Sequence, residues 1–504
     1  MSRRDMKKHV LALDQGTTHS RAHLFNRNGE IVALAQRDLT QHYPRPGWVE
    51  HDPEEIWESQ WAAALQVIEE SGVSPGEVEG VGITNQRETT LIWDRRTGKA
   101  VCPAIAWQDR RTVPICERLR KEGHEPLIRS RTGLVLDSYF SATKIRWILD
   151  EVDGVRERAR RGELAFGTVD SWLVWRMTGG RVHITDVTNA SRTLLFNLDE
   201  QRWDESLLEL FDIPPSLLPE VRSSSEVYAA VGNRSPLDGV PVSGIAGDQQ
   251  AALFGQGCTQ SGMAKTTYGT GCFVLMNTGD TPVMSDNNLL TTIAWKIGDR
   301  TEYALEGSIF IAGAIIRWLR DGLGLIKNTR EIESLAGRVR DSGGVVLVPA
   351  FAGLGAPHWD SYTQGTIMGI TRATTAAHFA RAALEAIAFQ TVDVLHAMEA
   401  DSAIVLKELR VDGSAAQNNL LMQIQADLLQ NRVARPRLSE TAALGAAGLA
   451  GLAVGFWKDR EEVERCWELD REFEPELPPN AAADLRREWL LALDRTRAWV
   501  RQDE

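Results

Sequence analysis

One pattern occurs twice in this chain and limits what it can fold into. An apolar strand runs into a short turn carrying glycine and hydroxyls, and a second strand leads away. The first copy is Val10-Leu11-Ala12-Leu13-Asp14-Gln15-Gly16-Thr17-Thr18, with the outgoing strand from Ser20. The second runs from Met263 to Tyr268, turns at Gly269-Thr270-Gly271 and leaves from Cys272. After each copy, helical and strand periodicities alternate. The first half reads as strands over 9–13, 20–25 and 31–36, then a helix from Pro53 with Ile56, Trp57, Trp61, Leu65 and Ile68 on one face. Strands over 78–84 and 90–93 and helices near 109–121, 143–149 and 170–177 follow. The second half gives helices near 308–320, 375–400 and 417–429, interleaved with strands over 345–348, 366–370 and 408–411. Segments 222–239 and 473–480 read as irregular. A chain of 504 residues exceeds one ordinary core. The expected fold is therefore α/β, with domains over 1–255 and 256–504 and a cleft between them.

The first turn suits a metal-bound triphosphate. A glycine there is expected to adopt positive φ and let the backbone approach phosphate. Amides and threonine hydroxyls donate to oxygens, and Asp14 can orient Mg²⁺ or its waters. Taken alone, the same residues also describe an ordinary hairpin. Charge narrows the partners: 56 basic against 69 acidic residues leave a net −13, which argues against nucleic acid or an anionic membrane. Five scattered cysteines without close pairs indicate a reducing compartment, and a cytoplasmic location is expected. The apolar run before Asp14 is too short for a secretory signal. The charge-free run 441–457, rich in alanine and glycine, reads as a packed core helix rather than a membrane span.

Two further glycine-bearing turns extend the phosphate reading. One is Thr267-Tyr268-Gly269-Thr270-Gly271; the other, Asp412-Gly413-Ser414, lies between a strand and the helix carrying Asn418. In Gly247-Asp248-Gln249-Gln250, Asp248 starts an apolar helix, where it serves as a cap or as the acceptor of a substrate proton. Asn85-Gln86-Arg87-Glu88-Thr89 ends an apolar strand, as a solvated loop or as a site for a hydroxylated ligand, with Arg87 donating and Glu88 accepting. Trp107, Tyr139 and Phe273 are either core or the apolar walls a small polyol needs.

The strings LDQGTT (13–18), NQRET (85–89), WQDRR (107–111), GDQQAALFGQ (247–256), TYGTGCF (267–273) and GAPHWD (355–360) together resemble the FGGY family of carbohydrate kinases. That family lies within the actin and hexokinase superfamily. Two longer patterns agree, from Tyr139 through Lys144 and Trp147 to Glu151, and from Gly365 through Gly369 and His378 to Glu385. NQRET and TYGTGCF point to the branch acting on glycerol. The resemblance implies two ribonuclease-H-like (actin-like ATPase) domains closing on ATP, Mg²⁺ and glycerol. It implies transfer of the γ-phosphate to give sn-glycerol 3-phosphate and ADP, the first step of glycerol catabolism. Carried over by position, Arg87, Glu88, Trp107, Tyr139, Asp248, Gln249 and Phe273 form the glycerol site. Asp248 is the general base, and Asp14 and Asp248 serve the metal. Thr17, Thr18, Arg21, Thr270, Gly313, Gly413 and Asn418 fall at nucleotide positions. A homo-oligomer, dimer or tetramer, is expected.

Three positions depart from the family pattern: His19 replaces a small hydroxyl residue, Ser414 a second glycine, and Arg317 the glutamine of some relatives. Regulation should differ too. The loop 231–239 is poor in glycine and basic residues, and no histidine lies between His183 and His358. Neither fructose 1,6-bisphosphate nor histidine phosphorylation is expected to control activity in the familiar way. The alternatives are a family kinase for another polyol or ketose, and a nucleotide-binding sensor without turnover. Intact Asp14 and Asp248 argue against the sensor.

Overall fold

In the computed structural model, which describes residues 8–232, 234–360 and 362–497, both halves share one 13-stranded sheet. The first half contributes β1 (His9–Gln15), β2 (His19–Phe25), β3 (Ile31–Asp38), β4 (Val78–Asn85), β5 (Ser225–Ala230) and β6 (Pro241–Gly247). The second contributes β7 (Met263–Tyr268), β8 (Cys272–Gly279), β9 (Leu290–Ile297), β10 (Arg300–Ile309), β11 (Glu408–Asp412), β12 (Val433–Pro436) and β13 (Leu469–Phe473). Across the sheet the order is β13-β12-β11-β7-β8-β10-β9-β5-β6-β4-β1-β2-β3.

The repeated sequence pattern becomes a repeated topology. In the first half β1 pairs antiparallel with β2 and β2 with β3, while β4 and β6 add in parallel beyond β1. In the second, β7 pairs antiparallel with β8 and β8 with β10, while β11 and β12 add in parallel beyond β7. The two units are fused by β5, antiparallel to β6, which meets β9 in parallel at Ser225 and Ile297. Segment 222–239 is therefore not irregular throughout. Its strand escapes a sequence reading because its side chains are mostly half-exposed and lack an apolar run. The central strand β1 is buried on both faces, hence its unbroken run from Val10 to Leu13.

The helices that position the site are α1 (Pro53–Ser71), α2 (Ser141–Glu151), α3 (Asp248–Gly255), α4 (Gly313–Asp321), α5 (Ala376–Ser402), α6 (Asn419–Leu429) and α7 (Thr441–Ala453). Asp52 caps α1 through the Glu54 amide, and Gly72 at φ +67° ends it. Its buried face is Ile56, Ala63, Ala64, Val67 and Ile68. Trp57 and Trp61, half-buried, pack against the same apolar cluster and stack on each other at 5.0 Å. The helix placed near 308–320 begins only at Gly313, since Ser308 and Ile309 extend β10.

The run at 441–457 forms a core helix over Thr441–Ala453. Although α7 comes late in the chain, it packs on the first half's sheet. A Cβ on Gly82 would sit 2.2 Å from the Ala446 carbonyl, and one on Gly445 would sit 1.8 Å from that of Ala251. One apolar cluster consequently mixes the halves, with Val10, Ala12 and Ala246 against Leu444, Ala446 and Leu449. Among the described residues no helix is long and apolar enough to cross a membrane.

Candidate active site

Register brings the chemistry together. Asp14 lies opposite Thr84 and Gln15 opposite Asn85, while Asn85 lies opposite Gly247. The first turn, the polar run 85–89 and Asp248 thus emerge side by side from the carboxyl ends of three parallel strands, where α/β folds bind ligands. In the second half Thr267 lies opposite Asp412, which sets the turns at 269–271 and at Gly413 next to each other.

The turns achieve their closeness differently from the sequence reading. Gly16 is absent from the positive-φ residues. Its amide donates to the His19 carbonyl at 2.9 Å, and an added Cβ would stand 3.1 Å from that oxygen. Left-handed backbone belongs to Gly413 instead, at φ +88°, where a Cβ would meet the Tyr268 carbonyl at 2.5 Å. Trp107 Nε1 donates to Thr17 Oγ1 at 3.0 Å, tying the first turn to the aromatic wall. His19 Nδ1 lies 2.8 Å from Thr18 Oγ1, and its Nε2 is 3.5 Å from Asp38. The unusual residue of that turn therefore holds one of its hydroxyls. Arg21 Nη1 donates to Glu440 at 2.8 Å and stands 3.8 Å from Asp14. Burial pushes the Asp14 carboxyl up to about 6; Arg21 opposes this, while Glu440 and Asp248 add to it.

The polar run forms a tight knot. The Thr89 amide donates to the Arg87 carbonyl at 2.7 Å, closing a turn centred on Glu88 at φ +59°. A glutamate held in that conformation is strained by about 1–3 kcal/mol, and such strain clusters at functional sites. Arg87 donates through Nη1 and Nη2 to Glu306 at 2.6 and 3.0 Å, and through Nη1 to Gln250 at 3.1 Å. Its Nε remains 3.2 Å from Asp248 Oδ1 and 3.8 Å from Glu88. Most of the Arg87 fork is thus committed to protein partners rather than to a ligand hydroxyl. Glu88 Oε1 accepts from Arg192 Nε at 2.8 Å. Burial raises the Glu88 carboxyl in spite of Arg87 and Arg192. Lys144 on α2 donates Nζ to the carbonyls of Tyr139 at 2.6 Å and Glu88 at 3.3 Å, with its amine lowered to about 8 by burial.

The walls come from both halves. Trp107 packs edge-on against Tyr139 at 5.7 Å and against Phe273 at 6.3 Å. Asp248 is the first residue of α3 rather than its cap, a position held by Gly247. Its Oδ1 accepts the Gln249 amide at 2.7 Å, and its side chain is 36% exposed, which leaves it open to a ligand. Lys265 Nζ donates to Gln249 Oε1 and, at 2.9 Å, to Thr267.

The positions assigned to nucleotide are less uniform. Arg317 Nη2 donates to Thr270 Oγ1 at 2.9 Å, and the Gly313 amide donates to the Gly269 carbonyl at 3.0 Å. A Cβ on Gly313 would come 2.5 Å from that carbonyl, so α4 starts flush against the second turn. Asn418 caps α6 through the Leu421 amide at 2.9 Å. Ser414 opens a short 3₁₀ turn over Ser414–Gln417 and is exposed.

Sequence reasoning missed Arg192, Glu306, Gln250 and Lys265. A signal existed for one of them: Glu306 directly follows the apolar stretch 303–305 within the strand Arg300–Ile309, where a charge stays buried only if paired. The paired turns, the walled polar knot and the open carboxylate at its edge describe a sugar or polyol kinase.

The chain belongs to the FGGY family of carbohydrate kinases: the family's N-terminal domain matches residues 9–255 and its C-terminal domain residues 264–454. Two near relatives are glycerol kinases. The glycerol kinase of Paraburkholderia phytofirmans is 60% identical over 493 residues, covering 98% of this chain and 99% of that protein. That of Trichlorobacter lovleyi is 60% identical over 491 residues, covering 97% and 99%. The crystal structure of Plasmodium falciparum glycerol kinase with ADP superposes with a TM-score of 0.92 at 34% identity, over 97% of this chain and 98% of that one. The fold is thus the two-domain, actin-like one of the family. Xylulose kinase from Lactobacillus acidophilus shares the fold, at TM-score 0.88 and 20% identity, over 98% and 99%.

Proposed function

We infer that this protein transfers the γ-phosphate of ATP to glycerol, giving sn-glycerol 3-phosphate and ADP. The observation that carries the reading is the knot of Arg87, Glu88 and Asp248 walled by Trp107, Tyr139 and Phe273. It lies at the strand ends beside the phosphate turns. Kinship with named glycerol kinases at 60% identity selects the substrate.

Glycerol lies with its carbon skeleton against the three rings, and Glu88 accepts from its hydroxyls. Arg87 Nε, the part of that guanidinium turned to Asp248, donates to the same polyol. Asp248 takes the proton from the terminal hydroxyl. The hydroxyl oxygen then bonds to the γ-phosphorus as the bond to the bridging oxygen breaks and ADP leaves. Catalysis of this kind is mostly positioning and charge stabilisation. Amides of the first and second turns and the hydroxyls of Thr17, Thr18 and Thr270 grip the phosphates. Arg21, Gly313, Gly413 and Asn418 line the remainder of the nucleotide. Asp14 and Asp248 suit Mg²⁺, because the Asp14 carboxyl is pushed up by burial and by neighbouring carboxylates that a cation would answer. Bound there, Mg²⁺ supplies neutralising charge to the phosphates.

The domain division at 255/256 follows the same reading and is supported by the extents of the two family domains. The cytoplasm suits an enzyme drawing on ATP whose five cysteines are all free thiols.

The test is purified protein with Mg-ATP and a panel of polyols, following ADP release. Glycerol should give the highest kcat/KM. A faster reaction with xylulose, erythritol or gluconate would overturn the substrate, and ATP binding without turnover would favour the sensor.

A further inference from the structure

Four charged groups form the floor of the candidate site and are almost fully withdrawn from solvent. Arg87 and Arg192 carry the positive charges and Glu88 and Glu306 the negative ones, and each is at most 3% exposed. A buried network of zero net charge contributes little to stability, because desolvation cancels most of the attraction. What it does supply is a fixed place for its members.

Arg192 stands at the centre. Its Nε donates to Glu88 Oε1 at 2.8 Å and its Nη2 to Glu306 Oε1 at 3.0 Å. The guanidinium carbon lies 5.6 Å from the Tyr139 ring and 5.2 Å from the Phe140 ring. Nη1 is buried with no hydrogen-bond acceptor, a situation that attraction to aromatic faces makes tolerable. Glu306 in turn accepts both Nη groups of Arg87. Burial alone would raise Glu306, yet Arg192 and Arg87 hold its carboxyl down at about 2. Three members come from the first half of the chain, while Glu306 sits on β10 of the second.

We propose that Arg192 and Glu306 are positioning residues of the polyol subsite. They fix Glu88, Tyr139 and Arg87 so that the site recognises two neighbouring hydroxyls. This assignment rests on the glycerol-phosphorylating function proposed above. Neither residue touches the reacting atoms. Arg192 serves its two carboxylates through different nitrogens of one rigid plane, and a lysine ammonium lacks that fork.

The experiment uses the full chain with Arg192→Lys and, separately, Glu306→Gln. Kinetics are measured with glycerol and with 1,3-propanediol, which lacks the middle hydroxyl. In each variant the glycerol KM should rise about 10-fold or more while the ATP KM moves less than about twofold. Preference for glycerol over 1,3-propanediol should fall by about 10-fold, a readout that a loss of general stability does not move. Placed on a Glu88→Gln background, Arg192→Lys should raise the glycerol KM by a clearly smaller factor than it does alone, since one of the groups it positions is already disabled. Parallel rises in both KM values overturn the proposal, as do an unchanged preference for glycerol or additive effects in the double variant. Should Arg192→Lys fail to fold, Glu306→Gln decides by the KM split and the preference. A wild-type protein inactive on glycerol removes the function itself. An active wild type with unaltered variants removes only this assignment.

Discussion

Asp248 has two structural neighbours that restrict what a substitution there can mean. Its Oδ1 accepts the Gln249 amide at 2.7 Å, and Arg87 Nε stands 3.2 Å away. An asparagine keeps an oxygen for both, so the start of α3 survives while the proton acceptor is lost. Asp248→Asn should therefore lower kcat by about 10³-fold and leave glycerol binding, measured by calorimetry, within a small factor. Near-normal turnover would reduce Asp248 to a helix-start residue. His19, the odd residue of the first turn, acquires a physical account here, since its ring engages the Thr18 hydroxyl and faces Asp38. Glu88 combines a strained backbone, at φ +59°, with a carboxylate held by Arg192 Nε.

At the level of elements, α7 is the piece whose composition matters most. Its alanines and glycines are there because the helix meets α3 and the strands backbone to backbone. A Cβ at Gly445 would lie 1.8 Å from the Ala251 carbonyl and one at Gly255 would lie 1.9 Å from that of Thr441. No side-chain rotation relieves such a clash, so α3 and α7 would have to separate. Gly445→Ala should cost about 3 kcal/mol in chemical denaturation, toward the upper end for overpacking. Because α3 begins with Asp248, the same variant should also lose turnover. A fully stable and active Gly445→Ala protein would mean that the two helices have room to slide. The strand β5 makes a complementary point. Half-exposed and weakly patterned, it still joins the two halves of the sheet.

For the whole molecule, the repeated topology hides an unequal exchange between the halves. The first half's central strands rely on a helix, Thr441–Ala453, that the chain supplies only after most of the second half. Val10, Ala12 and Ala246 are covered by Leu444, Ala446 and Leu449. A fragment of residues 1–255 should accordingly expose apolar surface, bind a hydrophobic dye and melt without a cooperative transition, whereas the full chain melts cooperatively. A soluble fragment with a sharp melt would show that the first half closes its own core. The ion pairs from Arg87 and Arg192 to Glu306 join the halves a second time, inside the site itself.

The sequence by itself determined the local pieces of this protein. A short apolar run such as Val10 to Leu13, followed at once by a glycine and hydroxyl turn, reads as a buried strand, and the order of elements is set twice over. The residues later found around the site were legible only through the family strings that carry them, because Arg87, Glu88, Asp248 and the aromatic walls read equally well as a loop, a helix cap or ordinary core. Only tertiary structure decided which of those groups are free to act. Pairing across the sheet set Asp14, Asn85 and Gly247 in a row, and it committed most of Arg87 to Glu306, 219 residues away. Spacing along the chain cannot reveal that commitment. The partner of a buried charge is selected by register and by the closure of distant strands, and the cost of leaving it unpaired is felt only once water has gone.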